Sequence, residues 1–239
     1  TNEGLAAYLV QIAAQIPQVS DGLEEVPASL RDKESIVLGQ GIFLRSRAMR
    51  PAWWIWARAA ADRFPESTDL KVLAATSFVD EVTQDEEIVR TQILSIDQQE
   101  HLVAAAEILD TEWQAQPWLL KNATDDASYI LANAMIAFSL LNNREAALRC
   151  ARRIADEAID TPAILNNAIM TAFRFNDDTL ACKLIALAPN DPEIAFHAGI
   201  IAVKEGDWTR AAVSFQNARI PDSETRMVET VIALAPIKE

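Results

Sequence analysis

Apolar residues recur every three or four positions along most of this chain, and short polar turns with Pro, Gly or Asn separate the apolar segments. This spacing is typical of amphipathic α-helices, and no alternating run of Val, Ile or Thr is long enough to indicate a strand. The clearest stretch is residues 192–221, in which Asp191 is a good N-cap for a first helix. Gly206 then predicts a turn, and Pro221 ends the second helix. The pattern predicts an all-α protein built from helical hairpins.

The same reading along the whole chain predicts a succession of helices with short connections. They are expected over residues 3–16, 35–49, 51–64, 67–82, 85–95, 98–110, 112–121, 129–141, 144–158, 163–175, 179–188, 192–204, 208–219 and 223–235. We expect residues 1–125 to form a degenerate helical-repeat segment. Residues 126–239 are expected to hold regular repeats followed by a C-terminal capping helix.

Small residues and one aromatic residue in 192–221 are spaced as in two closely packed antiparallel helices. Gly199-x2-Ala202, Ala211-x3-Phe215 and Pro221 resemble the tetratricopeptide repeat (TPR) family, whose pattern is G-x2-Y, A-x3-F and P. Ala202 stands where that family has an aromatic residue. The resemblance is clearest over residues 126–221.

The interval between repeats supports this resemblance. The alanine that packs in each second helix is Ala146, Ala181 or Ala211, at intervals of 35 and 30 residues. The family period is about 34 residues. Because the shortfall is close to one helical turn, we expect the second helix of the middle repeat to be shortened with its buried face kept in phase.

The resemblance implies a right-handed superhelical stack of antiparallel helix pairs, a TPR-like α-solenoid, which holds a peptide or amphipathic helix of a partner protein in its concave groove. Transferring the groove positions to this sequence gives ten candidate residues. They are Leu131, Met135, Phe138, Asn166, Met170, Phe173, Arg174, Phe196, Ile200 and Lys204. His197, next to a groove position, is either a contact residue or a surface or packing histidine. An alternative is that a helix of the same chain, such as the last one, fills the groove.

Net charge narrows the range of partners. The chain carries −14 with a pI of about 4.6, which argues against nucleic acid because phosphate binding needs clustered Lys and Arg. The acidity serves either solubility or attraction to a basic partner.

Residues 43–64 are basic, unlike the rest of the chain. Five arginines and one aspartate give them +4, which leaves −18 for the rest of the chain. A secondary basic-aromatic patch of Arg45, Arg47, Arg50, Trp53 and Trp54 is therefore a candidate site for an acidic or phosphorylated segment. The alternative is that these arginines pair with acidic helices of the same chain while the tryptophans fill a joint between hairpins.

Motifs for catalysis are not found in the sequence. It has no G-x-x-x-x-G-K-[ST], G-x-G-x-x-G or H-E-x-x-H pattern, and neither His101 nor His197 has a second ligand at metal spacing. We therefore predict no catalytic residue, no metal and no cofactor. Cys150 lies beside three arginines and is either a reactive thiol or, as the helix pattern favours, a core residue.

The cysteines and hydropathy bear on location. Cys150 and Cys182 are expected to be small core residues in different repeats, too far apart for a disulfide. Two thiols favour a reducing compartment, so a cytoplasmic protein is expected. No apolar run approaches the roughly 18 residues of a membrane span. Since Thr1 opens the chain, we expect an excised segment or a mature form.

Taken together, these features predict a non-enzymatic protein–protein interaction module. An alternative is the substrate-recruiting TPR segment of a larger modifying enzyme such as a glycosyltransferase. A homo-oligomer formed by self-association of the stack is a further possibility.

Overall fold

The computed structural model describes residues 52–91, 93–115 and 126–219, together with residues 225, 228, 229 and 231. Within these residues the regular structure is entirely helical, which confirms the all-α fold class for this part of the chain. The helices predicted over 3–16 and 35–49 lie outside the described residues. The described helices are α1 Ala52–Arg63, α2 Thr68–Gln84, α3 Glu86–Thr91, α4 Ile96–Ala115, α5 Asp126–Leu140, α6 Arg144–Asp156, α7 Pro162–Arg174, α8 Asp178–Ile185, α9 Pro192–Lys204 and α10 Trp208–Gln216.

The chain divides into two compact units, Thr1–Leu141 and Asn142–Glu239. This division follows spatial contacts, whereas the predicted boundary at 125/126 marks where the repeat pattern becomes regular, and that boundary stays a prediction. In the first unit α2 packs against α1, α4 and α5, and α4 packs against α5. The Ser67 side chain caps α2 by accepting a hydrogen bond from the Leu70 amide.

Helix α4 differs from the sequence prediction, which placed a break near Thr111. The helix runs without interruption from Ile96 to Ala115. Leu102, Leu109 and Trp113 are all buried, so the apolar stripe continues past the expected break. Since neither Gly nor Pro lies in this stretch, polar residues alone do not end the helix.

In the second unit each helix packs against the next one, from α6 to α10. Helix α6 also packs against α8, and α7 against α9. This arrangement places α6 and α8 in one layer and α7 and α9 in another, with paired helices stacked in chain order. Helix α8 has 8 residues against 13 in α6, as the shortened interval predicts.

The turns that begin α6, α8 and α10 share one backbone design. Asn142, Asn176 and Gly206 have φ values of 55°, 56° and 75°, in the left-handed region that Asn and Gly tolerate best. The next residue in each turn is an N-cap whose side chain accepts a hydrogen bond from the amide three residues on. Consecutive turn residues are 34 and 30 positions apart. The same turn geometry therefore recurs at intervals close to those of the sequence pattern.

The predicted closing helix is described at four positions, all helical. Val228 and Val231 are buried in a cluster with Phe196 and Phe215. These valines therefore extend the core of the α9–α10 pair.

Candidate functional site

Counting back from the turn residues Asn142, Asn176 and Gly206 gives equivalent positions in the helices that precede them. In α7 the positions eleven, seven and four residues before Asn176 are Leu165, Ile169 and Ala172, and all three are fully buried. The same offsets from Gly206 give Ala195, Gly199 and Ala202 in α9, which are also buried. The positions one residue later in each case lie about 100° further round the helix, and we call them the outer register.

The first set of candidate residues falls in the buried register. Leu131, Met135 and Phe138 lie at the same offsets of eleven, seven and four residues before Asn142, and they are only 1%, 0% and 8% exposed. One residue further along, Ile136 and Ser139 are partly exposed. The face of α5 comparable to the candidate face of α7 therefore carries Ile136 and Ser139.

The other candidates lie in the outer register of α7 and α9 or, like Lys204, directly beside it. On α7, Met170 is 52% exposed and Phe173 is partly exposed. On α9, Ile200 is partly exposed and Lys204 is exposed. The Lys204 ammonium lies 5.0 Å from the centroid of the Phe173 ring, which joins the two helices by a cation–π contact. We call Met170, Phe173, Ile200 and Lys204 the outer face of α7 and α9.

Asn166 and His197 form the polar contact between these two helices. The Asn166 Oδ1 atom is 2.6 Å from His197 Nε2, and since an amide oxygen accepts, the ring nitrogen donates. His197 is 3% exposed and lies against the rings of Phe173 and Phe196 at centroid distances of 5.8 and 5.7 Å. His197 is thus a packing histidine.

The environment of this imidazole keeps it neutral. Burial lowers the pKa of His197 to about 4. Among the residues that the structure describes, its Nδ1 atom has no hydrogen-bond partner. A second proton on the ring would therefore be buried without an acceptor, which disfavours the charged form.

The side chain of Phe196 is buried by other residues of the same chain. It is 8% exposed and belongs to the cluster that contains Phe215, Val228 and Val231, against which Ile200 also packs. At this end of α9 the last segment of the chain covers a candidate groove residue. The accessible part of the candidate site therefore centres on Met170, Phe173 and the carboxyl ends of α7 and α9.

The secondary basic-aromatic patch is described only in part, because Arg45, Arg47 and Arg50 lie outside the described residues. The indole nitrogens of Trp53 and Trp54 both donate to Asp80 Oδ2, at 3.3 and 2.8 Å. Trp53 is buried and Trp54 is partly buried. These contacts tie α1 to α2 in the way that the purely structural alternative requires.

Arg58 also contacts the neighbouring helix of the same chain. It forms an ion pair with Glu81 and stacks over the Phe78 ring, 5.4 Å from its centroid. A basic residue of α1 thus meets an acidic residue of the neighbouring helix.

The two cysteines differ in exposure. Cys150 is buried in α6, Cys182 is exposed on α8, and no disulfide joins them. The expectation that Cys182 is a core residue is wrong. The buried side of α8 is formed by Leu180, Ala181 and Leu184, and Cys182 lies outside that stripe.

Within the described segments, no three side chains of His, Cys, Asp or Glu converge in a group that could hold a metal ion. No helix of the described part of the chain combines the length and apolar character needed to cross a bilayer.

Sequence comparison identifies no relative of this chain: no protein-family model matches it, and no curated protein matches it significantly. The described residues form an all-α class of structure with helix pairs stacked in chain order and an apolar, partly cationic outer face on α7 and α9.

Proposed function

We propose that this protein is a TPR-like interaction module, a right-handed superhelical α-solenoid that binds a peptide or amphipathic helix of another protein and performs no chemistry itself. The binding surface is the outer face of α7 and α9. The stacking of α7 against α9, with α6 against α8 in the second layer, supports the solenoid. The left-handed turns at intervals of 34 and 30 residues support a true repeat.

The observation that carries the proposal is the exposure of Met170. Met170 is 52% exposed although the neighbouring helices have buried faces filled with Leu, Ile and Ala. A flexible thioether next to the partly exposed Phe173 makes an apolar surface that can adapt to a ligand's side chains. Such surfaces suit an amphipathic helix or an extended peptide with apolar anchors.

Affinity capture with matched variants tests this proposal. Met170→Asp places a carboxylate on the outer face of α7, where an apolar anchor would have to desolvate it. Val213→Asp is the control, since Val213 is 53% exposed but belongs to α10. We expect specific partners of the unchanged chain to remain with Val213→Asp and to be lost with Met170→Asp. If both variants fold and retain the same partners, the outer face is not the binding surface.

A further inference from the structure

The carboxyl ends of α7 and α9 carry a charge cluster that is almost, but not fully, paired. The Asp177 carboxylate lies 3.1 Å from Arg152, and the Asp178 carboxylate lies 2.6 Å from Lys204. Both acidic residues near the end of α7 are therefore already engaged. The remaining charged residue there is Arg174, the last residue of α7.

Arg174 lacks a carboxylate partner among the residues that the structure describes. Its guanidinium lies over the Phe175 ring, 5.5 Å from the centroid, and the side chain is partly buried. Desolvation by burial lowers the pKa of Arg174 below its usual value. A partly desolvated cation without a counter-charge costs free energy, and a carboxylate placed against it offsets that cost.

Arg174 lies beside the exposed apolar residues of α7. Met170 and Phe173 precede it by four residues and by one, so Met170 and Arg174 are neighbours on one helical face. Lys204 holds the equivalent position on α9, since Arg174 and Lys204 each lie two residues before the left-handed turn residue. Two cations in the same register thus border the exposed apolar residues.

We propose that the segment bound on the outer face of α7 and α9 carries an acidic side chain next to its apolar anchor, and that Arg174 receives this carboxylate with Lys204 beside it. This inference rests on the proposed function and adds the chemistry of the partner: an apolar segment with Asp or Glu, rather than a basic one.

The chain's net charge of −14 does not outweigh this local effect. Charges on exposed surfaces are screened beyond about 8 Å at physiological salt, whereas a partly buried pair is screened much less. Long-range repulsion slows the encounter with an acidic segment, and the close contact with Arg174 slows its release.

The test is selection from a random peptide library displayed on phage, without a free peptide carboxyl terminus. Selected sequences are then synthesised with acetylated amino ends and amidated carboxyl ends, so that every carboxylate is a side chain. Their affinities are measured for the unchanged chain and for Arg174→Gln, Lys204→Gln and Met170→Asp. The matched control is Arg153→Gln, because Arg153 is exposed on α6 and pairs with Glu157 of the α6 C-cap at 3.2 Å.

We expect the selected peptides to combine Asp or Glu with a neighbouring apolar residue. Arg174→Gln should weaken them about tenfold or more, with a smaller loss for Lys204→Gln and none for Arg153→Gln. If Met170→Asp abolishes binding but the peptides show no acidic preference, or Arg174→Gln changes nothing, the inference is wrong and the proposed function stands. If no peptide is selected, or Met170→Asp leaves binding intact, the proposed function fails and the inference fails with it.

Discussion

The ring of Phe215 lies directly against the backbone of Gly199, so that a Cβ atom at Gly199 would stand 2.6 Å from Cδ1 and 2.8 Å from Cζ. Both residues are buried between α9 and α10. The absence of a side chain on one helix is thus matched to a large ring on the other. This contact accounts physically for the G…F spacing that the sequence shares with the TPR pattern.

A double-mutant cycle tests this contact. Gly199→Ala should destabilise the folded chain by about 1–3 kcal/mol, because the new methyl group overpacks the seam. Phe215→Ala should cost about 3–5 kcal/mol through the cavity that it leaves. Adding Gly199→Ala to Phe215→Ala should have the opposite sign and stabilise by up to about 1 kcal/mol, since Ala favours a helix over Gly. Urea unfolding measures all three, and additive effects would contradict the packing described.

The left-handed turn positions give a pair of substitutions with opposite effects. Gly206 has φ of 75° with open space around it, and Ala158 has φ of 52°. Gly206→Ala should destabilise by about 1 kcal/mol, because an alanine in this region is strained. Ala158→Gly should relieve the same strain and stabilise the chain by less than about 1 kcal/mol, since glycine also gains entropy in the unfolded state. Equal signs in thermal unfolding would show that backbone strain does not govern these turns.

The buried His197 predicts a loss of stability in mild acid. Its pKa is about 4 in the folded chain, against an ordinary value of 6.5 that applies to the unfolded chain, so above pH 6.5 the imidazole is neutral in both states. As the pH falls from about 6.5 to about 4, the unfolded chain binds a proton that the folded chain does not. The free energy of unfolding therefore decreases, by up to about 3 kcal/mol at the acid end of this window.

Unfolding free energies at about pH 7.5 and about pH 5 measure this effect, which should amount to about 2 kcal/mol. His197→Gln keeps a polar group beside Asn166 and should remove this part of the pH dependence. His101→Gln is the control, because His101 is exposed on α4. An unchanged pH dependence in His197→Gln would show that another group is responsible.

Much of the second unit was predictable from the sequence because its turns carry strong local signals. Proline at the first turn of α7 and of α9, and Asn, Asp or Gly between paired helices, placed most helix ends within about three residues of those observed. Where such residues are absent, as around Thr111, the sequence predicted a break that does not occur. The buried face of each helix was harder to predict than the position of the helix. The reason is that alanine fits both a packed helix contact and an exposed surface.

The candidate site shows how difficult it is to predict helix faces from the sequence. The residues chosen on α5 lie one position from the register that α7 and α9 share, although counting back from Asn142 would have given Ile136 and Ser139. The sequence could not predict the Asn166–His197 contact, for a different reason. Its partners are 31 residues apart, and only the packing of α7 against α9 brings them together. The sequence also could not show that Arg174 has no carboxylate partner among the described residues. This depends on the pairing of Asp177 and Asp178 with other cations.

The central claim is that the outer face of α7 and α9 takes up a partner polypeptide, and site-specific photocrosslinking tests it most directly. A photoreactive benzophenone side chain would replace Met170 in one protein and Val213 in another, since these two residues are 52% and 53% exposed. The account predicts partner crosslinks from position 170 and none from position 213. Crosslinks only from position 213, or equally from both positions, would contradict it.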